Sequence, residues 1–121
     1  MYKLILEDSF VAAHKLQDSK SLTTKKCLNL HGHLYRVKIE IETNKLKNEM
    51  VIDFGELKSV IQIYDHDNLN KWFNNPTVEN IVQKIYNDIK SLLFKRLTTF
   101  TLQVTVKESD NTSITYNEKK L

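Results

Sequence analysis

Apolar and polar residues alternate along the first stretch of the chain, residues 2–14. One parity is shared by Tyr2, Leu4, Leu6, Phe10, Ala12 and His14, opposite the polar Lys3, Glu7 and Ser9. A period of two over this length predicts a long β-strand with one covered face. His14 is in phase with the apolar residues, so we expect its imidazole to point toward the covered side. A single histidine there is more often a hydrogen-bonded core residue than a ligand.

A second alternating segment begins at His31, after a polar stretch over residues 15–30 that predicts a loop carrying Cys27. Its residues of odd number are His31, His33, Tyr35, Val37, Ile39 and Ile41. In an antiparallel hairpin, the end of the first strand lies beside the start of the second. That pairing brings His14 close to His31 and His33.

Two helices are predicted in the middle of the chain. Asp53, with Glu56 three residues later, has the form of a capping box and predicts a helix that ends at about Tyr64. A second helix opens near residues 75–80, with Pro76 in its first turn. Its amphipathic stripe is formed by Val78, Ile81, Val82, Ile85, Tyr86, Ile89, Leu92 and Leu93.

Alternation returns near the end of the chain, where the apolar residues are Phe100, Leu102, Val104 and Val106. Glu108 continues their parity, and a carboxylate at the end of a covered face is costly unless it is paired. A short strand over residues 113–116 and a polar tail follow. The order ββααββ predicts an α+β fold, a four-stranded antiparallel sheet with two helices on one face. We expect one domain over residues 1–121.

The composition narrows the class of function. The net charge is +3, from 18 Lys and Arg against 15 Asp and Glu, and these residues form no basic run. Nucleic acid is therefore not the expected partner. The one cysteine forbids an internal disulfide and suits a reducing compartment. Early charges argue against a signal peptide, and no apolar run approaches the roughly 18 residues of a membrane span. We expect a cytoplasmic protein without a membrane partner.

The first group of candidate metal-ligating or catalytic residues is Cys27, His31 and His33. Two histidines separated by one residue of a strand leave the same face about 6–7 Å apart, and imidazole nitrogens are common zinc ligands. Cys27 is then either a further ligand or a thiol kept beside the metal for chemistry. Asp65 and His66 offer a titratable base with a carboxylate neighbour, although an ordinary polar turn with a surface histidine is the more frequent origin of such a stretch.

These residues stand within a larger set of motifs. In chain order the motifs are Phe10-Val11-Ala12-Ala13-His14, Cys-x-x-x-His-Gly-His at 27–33, Val51-Ile52-Asp53-Phe54-Gly55-Glu56-Leu57-Lys58, Asp65-His66 with Leu69-Asn70, Pro76-Thr77-x-Glu79-Asn80, and Glu108. Together they resemble the 6-pyruvoyl-tetrahydropterin synthase family over nearly the whole chain. The short length and the Cys-x-x-x-His-Gly-His form are most similar to the branch that makes 6-carboxytetrahydropterin for queuosine.

The resemblance implies a T-fold (tunnelling fold) subunit, assembled into a homohexamer from two trimers with active sites between subunits. It also implies zinc on His14, His31 and His33. The substrate would be a pterin triphosphate, 7,8-dihydroneopterin triphosphate. Its conversion would give 6-carboxy-5,6,7,8-tetrahydropterin with loss of acetaldehyde and triphosphate.

Residue roles follow from the resemblance in the same way. Cys27 would be the general acid and base, and Asp65 with His66 would be the second proton-transfer pair. Glu108 would anchor the pterin ring. Thr77 would lie near the pterin at the subunit interface.

Two departures and three alternatives accompany this hypothesis. Leu34 follows the His-Gly-His motif where a small polar residue is more usual, and the stretch between the Asp53 helix and Asp65 is short for the family. One alternative is the same fold making 6-pyruvoyltetrahydropterin. Another is a structural zinc module in which Cys27 completes a closed Cys-His₃ shell. The third is a nucleic-acid-binding domain, suggested only by the positive charge and the five tyrosines.

Overall fold

Two long strands form the centre of the fold in the computed structural model, which describes residues 1–118. Strand β1 (Tyr2–His14) and strand β2 (His31–Thr43) are antiparallel and pair along their whole length. This register confirms the predicted hairpin, because it sets His14 opposite His31. Residues 119–121, the end of the predicted polar tail, lie outside the described residues.

The sheet has one strand more than the sequence predicted. Strand β3 (Asp67–Asn68) is parallel to β1, whereas β4 (Thr101–Ser109) and β5 (Thr112–Tyr116) are antiparallel to their neighbours. The five strands are ordered β3-β1-β2-β4-β5. The α+β class is confirmed, but the prediction of a four-stranded, wholly antiparallel sheet was wrong. Two polar residues offer no alternation to recognise, so β3 had no signature in the sequence.

The first helix, α1 (Phe54–Gln62), begins where the sequence predicted. Asp53 is its N-cap, and a carboxylate oxygen of Asp53 accepts a 2.9 Å hydrogen bond from the Gly55 N–H. The helix ends two residues before the predicted end, and Tyr64 lies in the turn that follows. Capping of this kind stabilises a helix by about 1 kcal/mol.

The second helix, α2 (Val78–Phe94), has Thr77 as its N-cap. Pro76 therefore lies just before the cap. The sequence had predicted Pro76 in the first turn of the helix, and that prediction was wrong. The carbonyl of Pro76 remains outside the helix and is free to accept a hydrogen bond from another element.

Residues 15–30, predicted to be a loop that carries Cys27, contain a one-turn 3₁₀ helix over Lys25–Leu28. The hydroxyl of Thr24 caps this turn by accepting a bond from the Lys26 N–H. Cys27 therefore lies in a defined turn, because the local hydrogen bonds of Thr24 hold the backbone there.

The core lies between the sheet and the two helices. Its fully buried members on the strands and helices include Tyr35, Ile39, Ile41, Val104, Leu57, Ile61, Ile81, Ile85, Ile89 and Leu93. Each buried aliphatic side chain contributes about 1.5–3 kcal/mol to folding. His14 is buried at the end of the same covered face. No helix within residues 1–118 is both long and apolar enough to cross a membrane.

Candidate active site

Three histidines meet where β1 ends and β2 begins. His14 is the last residue of β1, His31 is the first residue of β2, and His33 follows on the same covered face. The Nε2 atoms of His14 and His31 are 3.0 Å apart. One ring nitrogen from each of the three histidines lies within 4.8 Å of the other two. The hairpin thus brings together the three residues predicted as ligands.

Backbone carbonyl groups determine which ring nitrogen carries the proton in His14 and in His31. His14 Nδ1 is 2.8 Å from the Pro76 oxygen, and His31 Nδ1 is 2.7 Å from the Asn29 oxygen. A carbonyl oxygen only accepts, so each Nδ1 donates and each neutral ring presents a lone pair at Nε2. The two Nε2 lone pairs then face each other at 3.0 Å. This arrangement is repulsive unless a cation lies between them.

The third imidazole has an unused nitrogen in the same cluster. His33 Nε2 is buried and has no hydrogen-bond partner among residues 1–118. Oε1 of Glu108 lies 3.1 Å from it, which is close enough for an ion pair. The contact is therefore an ion pair when the ring is protonated, and it is not among the hydrogen bonds of residues 1–118.

The donor set fits a metal ion. Zinc binds imidazole nitrogens at about 2.0–2.1 Å, which sets two such nitrogens roughly 3.3 Å apart in a tetrahedral site. Burial lowers the pKa of His14, so its ring is neutral near pH 7 and available as a ligand. Three imidazoles are a donor set typical of nitrogen-binding transition metals, with zinc prominent among them.

Tyr35 lies directly behind the histidines, although the sequence had not predicted it as a residue of the site. Its buried ring stacks on Phe10 at 4.9 Å, and its hydroxyl is 3.2 Å from His14 Nδ1. Burial and the nearby charge of Glu108 raise the pKa of the Tyr35 phenol, so it stays protonated. The signal was available in the sequence, because Tyr35 shares the parity of His33 and must lie on the same face.

Cys27 is not one of the grouped donors. Its half-buried side chain belongs to the 3₁₀ turn, and its carbonyl accepts a 2.8 Å hydrogen bond from the Leu16 N–H. Leu16 follows His14 by two residues, so this bond ties the cysteine turn to the end of β1. The role of the thiol as an acid and base stays a prediction.

Asp65 and His66 form a pair at the edge of β1. The two oxygens of Asp65 accept 2.9 Å hydrogen bonds, one from Val11 N–H and one from His66 Nδ1. These bonds, with the Val11 bond the larger influence, hold the pKa of Asp65 below its ordinary value. His66 has a left-handed backbone, with φ of 57°, and its side chain is 80% exposed. Neither residue is among the grouped donors, and their catalytic role stays a prediction.

Thr77 has a structural partner. Its hydroxyl oxygen accepts a 3.2 Å hydrogen bond from the Asn80 N–H, which caps α2. The preceding residue, Pro76, supplies the carbonyl that contacts His14. Thr77 is therefore one residue away from a contact of the cluster, and its predicted contact with a pterin remains a prediction.

Comparisons with known proteins agree on one family. The family model described as 6-pyruvoyl tetrahydropterin synthase matches residues 3–119. The chain is 35% identical to a 6-carboxy-5,6,7,8-tetrahydropterin synthase of Haemophilus influenzae over 121 residues, which covers 74% of this chain and 83% of the relative. It is also 35% identical to a dihydroneopterin monophosphate aldolase of Pyrococcus furiosus over 95 residues, with 75% and 77% covered.

The fold agrees with a solved structure as well. The 6-pyruvoyl tetrahydropterin synthase of Caenorhabditis elegans superposes with a TM-score of 0.71 at 28% identity, covering 98% of this chain and 96% of that one. The α+β arrangement of this chain is the T-fold that the sequence motifs implied.

Proposed function

Because this chain belongs to the 6-pyruvoyl tetrahydropterin synthase family, we propose that it is a cytoplasmic, zinc-dependent lyase acting on a pterin. Its substrates would be 7,8-dihydroneopterin triphosphate and one water molecule, and its product 6-carboxy-5,6,7,8-tetrahydropterin, released with acetaldehyde and triphosphate. In this proposal the enzyme serves queuosine synthesis. It would work as a homohexamer of this 14.2 kDa chain, with active sites between subunits.

One observation carries the proposal. The Nε2 atoms of His14 and His31 are 3.0 Å apart, while both Nδ1 atoms contact backbone carbonyl oxygens. The buried Nε2 of His33 has no hydrogen-bond partner among residues 1–118. Three nitrogens arranged in this way cost free energy unless they bind a cation. His14, His31 and His33 would hold the zinc ion, which when bound would supply Lewis acidity toward the hydroxyl and carbonyl groups of the substrate side chain.

Cys27 is assigned the first proton transfer. Its turn is tied by the Leu16 N–H to the strand that ends in His14, and its side chain is half-buried. In this assignment the sulfur of Cys27 is the base that takes a proton from the substrate side chain. The resulting thiol returns that proton at a later stage of the reaction.

Asp65 and His66 are assigned the second proton transfer. The carboxylate of Asp65 accepts from the Nδ1–H of His66, which leaves the Nε2 lone pair of His66 free to take a proton. The bond from the Val11 N–H fixes the carboxylate at the same time. In this assignment Asp65 orients the imidazole and His66 moves the proton. Because His66 is 80% exposed, we propose that it acts on substrate held between subunits.

Glu108 is assigned the recognition of the pterin. Its carboxylate is partly exposed beside His33, so it has lone pairs left for a ligand. The amino-pyrimidine edge of a pterin offers two parallel N–H donors, which match the two oxygens of a carboxylate. The Thr77 oxygen accepts a bond from Asn80 and keeps its own proton, which it can donate to the same ligand.

The test is an incubation of zinc-loaded protein with 7,8-dihydroneopterin triphosphate, followed by identification of the products. We expect acetaldehyde, inorganic triphosphate and 6-carboxytetrahydropterin. A 6-pyruvoyl product without acetaldehyde would support the family's other reaction and refute this one. The variant Cys27→Ala should lose activity at least about 100-fold and keep one zinc per chain. Loss of zinc in that variant would instead support a closed structural Cys-His₃ site.

A second candidate is favoured by the relative from Pyrococcus furiosus, whose name is dihydroneopterin monophosphate aldolase. An aldol cleavage would break a carbon–carbon bond of the substrate side chain and leave the phosphate on the aldehyde fragment. The proposed lyase reaction instead releases the phosphate groups as triphosphate. Incubation with the monophosphate and with the triphosphate therefore separates the two, since only the aldolase yields a phosphorylated aldehyde.

A further inference from the structure

The loop that carries Cys27 is held by side chains from a distant part of the chain. Just after β1, the Lys15 N–H donates to Asn70 Oδ1 and the Lys15 carbonyl accepts from Asn70 Nδ2, both at 2.9 Å. The amide of Asn70 thus imitates a neighbouring strand. Asn70 continues the pairing along this edge two residues beyond Asn68, which is the last residue of β3 that pairs with β1.

A second attachment follows two residues later. The Gln17 N–H donates to Asn75 Oδ1 at 3.0 Å, and Gln17 Nε2 donates to the Asn74 carbonyl at 3.0 Å. Residues 15 and 17 are therefore both fixed to the segment 70–76, which we call the asparagine segment. Leu16, between them, is the residue whose N–H binds the Cys27 carbonyl.

The asparagine segment also reaches the histidine cluster. The Pro76 carbonyl, directly after Asn75, accepts the hydrogen bond that sets the proton on His14 Nδ1. One short segment therefore contacts a metal ligand on one side and, through Leu16, the backbone of Cys27 on the other. The ion pair between Lys25 and Asp18 also joins the two parts of the loop, but both side chains are mostly exposed and such pairs contribute little.

We propose that Asn70 and Asn75 are positioning residues that hold the Cys27 thiol in place beside the metal site. Neither touches the reacting atoms in this proposal, which rests on the proposed function for the metal and for the role of the thiol. The chemistry of the two amides differs. Asn75 contributes only an acceptor through its side chain, whereas Asn70 needs an acceptor and a donor together.

This difference predicts an asymmetric rescue. Asn75→Asp keeps an oxygen for the Gln17 N–H and should behave like the wild type within about 3-fold. Asn70→Asp places a second acceptor against the Lys15 carbonyl and should be as impaired as Asn70→Ala. A displacement of about 1 Å in a reacting group costs roughly 100-fold in rate. We therefore expect kcat to fall about 10–100-fold in Asn75→Ala, Asn70→Ala and Asn70→Asp, with KM nearly unchanged.

A readout independent of turnover uses the fact that Cys27 is the one cysteine of the chain. Its alkylation rate by iodoacetamide is measured with and without zinc. In the wild type and in Asn75→Asp, zinc should change this rate at least about 3-fold, because a cation bound beside the thiol alters its access and its reactivity. In Asn75→Ala the effect of zinc should disappear, while zinc still binds one per chain. Asp18→Ala is the matched control, since it removes the other link within the loop, and it should keep the effect.

The outcomes separate the two proposals. If zinc alters alkylation equally in the wild type and in Asn75→Ala, or in neither, Asn75 does not position the thiol and the inference is wrong. If the zinc effect follows the predicted pattern but the wild type turns over no dihydroneopterin triphosphate, the positioning stands and the proposed substrate fails. A shift of the Asn75→Ala melting temperature by no more than about 4 °C would exclude general unfolding as the cause.

Discussion

Metal binding should raise the thermal stability of this protein by an amount that the chain length allows us to calculate. A ligand that binds only the folded state at 100 times its dissociation constant stabilises that state by about 2.7 kcal/mol. The entropy of unfolding is about 2.1 cal/mol/K per residue. For the 121 residues of this chain that is about 0.25 kcal/mol/K, and the expected rise in Tm is about 10 °C.

The variant His33→Ala tests whether the histidine cluster causes this rise. His33 contributes the buried Nε2 that lacks a hydrogen-bond partner among residues 1–118, so its removal should lower zinc affinity strongly. The zinc-induced rise in Tm should then fall below about 3 °C at the same zinc concentration. His66→Ala is the matched control, because it removes the one histidine outside the cluster, and it should keep the full rise.

The measurement is differential scanning calorimetry of metal-free protein, with and without added zinc. The reasoning would be refuted if the wild type showed no rise, or if His33→Ala and His66→Ala lost the same part of it. The second result would mean that zinc stabilises through scattered surface sites. It would also mean that the lone pairs of His14 and His31 are relieved by a shared proton and not by a metal ion.

Four further outcomes follow from single residues. Thr77→Ala should lower the free energy of unfolding by about 1 kcal/mol through loss of the α2 cap, and Thr77→Ser should restore it in urea denaturation. Glu49→Gly should raise that free energy by about 1 kcal/mol, because Glu49 has a positive φ of 64°. Tyr64→Phe should be neutral or stabilising by about 1 kcal/mol, since its buried hydroxyl has no partner within residues 1–118. The lowered pKa of Asp65 contributes stability above its ordinary value of about 3.9. That contribution should be lost as the pH falls through the folded pKa, a loss that Asp65→Asn should not show in pH-dependent melting curves.

The features that the sequence predicted correctly share one physical origin. Successive side chains of a strand point to opposite faces of the sheet, whatever the rest of the chain does. An alternating apolar and polar pattern was therefore enough to recognise β1, β2 and β4. The antiparallel pairing then followed from treating the two consecutive strands as a hairpin. This is why the meeting of His14 with His31 and His33 could be predicted from the order of the residues alone.

The features that the sequence missed depend on contacts between distant residues. β3 exists because Asp67 and Asn68 pair with β1. Two consecutive polar residues carry no local pattern that predicts this pairing. The attachment of Gln17 to Asn75 spans 58 positions, so no local rule finds it. Tyr35 is a different case, because its parity was known and only its hydroxyl contact with His14 required the structure.

The position of the site at the ends of β1 and β2 has a physical explanation. Within the sheet, carbonyl oxygens are used by neighbouring strands and are not available to side chains. Pro76 and Asn29 lie in segments that flank α2 and β2, so their carbonyls remain available as acceptors. They accept from the Nδ1 atoms of His14 and His31 and thereby direct both Nε2 lone pairs inward. A triad moved toward the middle of the strands would have the same side chains but would lack these acceptors. We therefore expect an engineered His triad at mid-strand positions of this sheet to bind zinc more weakly than the natural one.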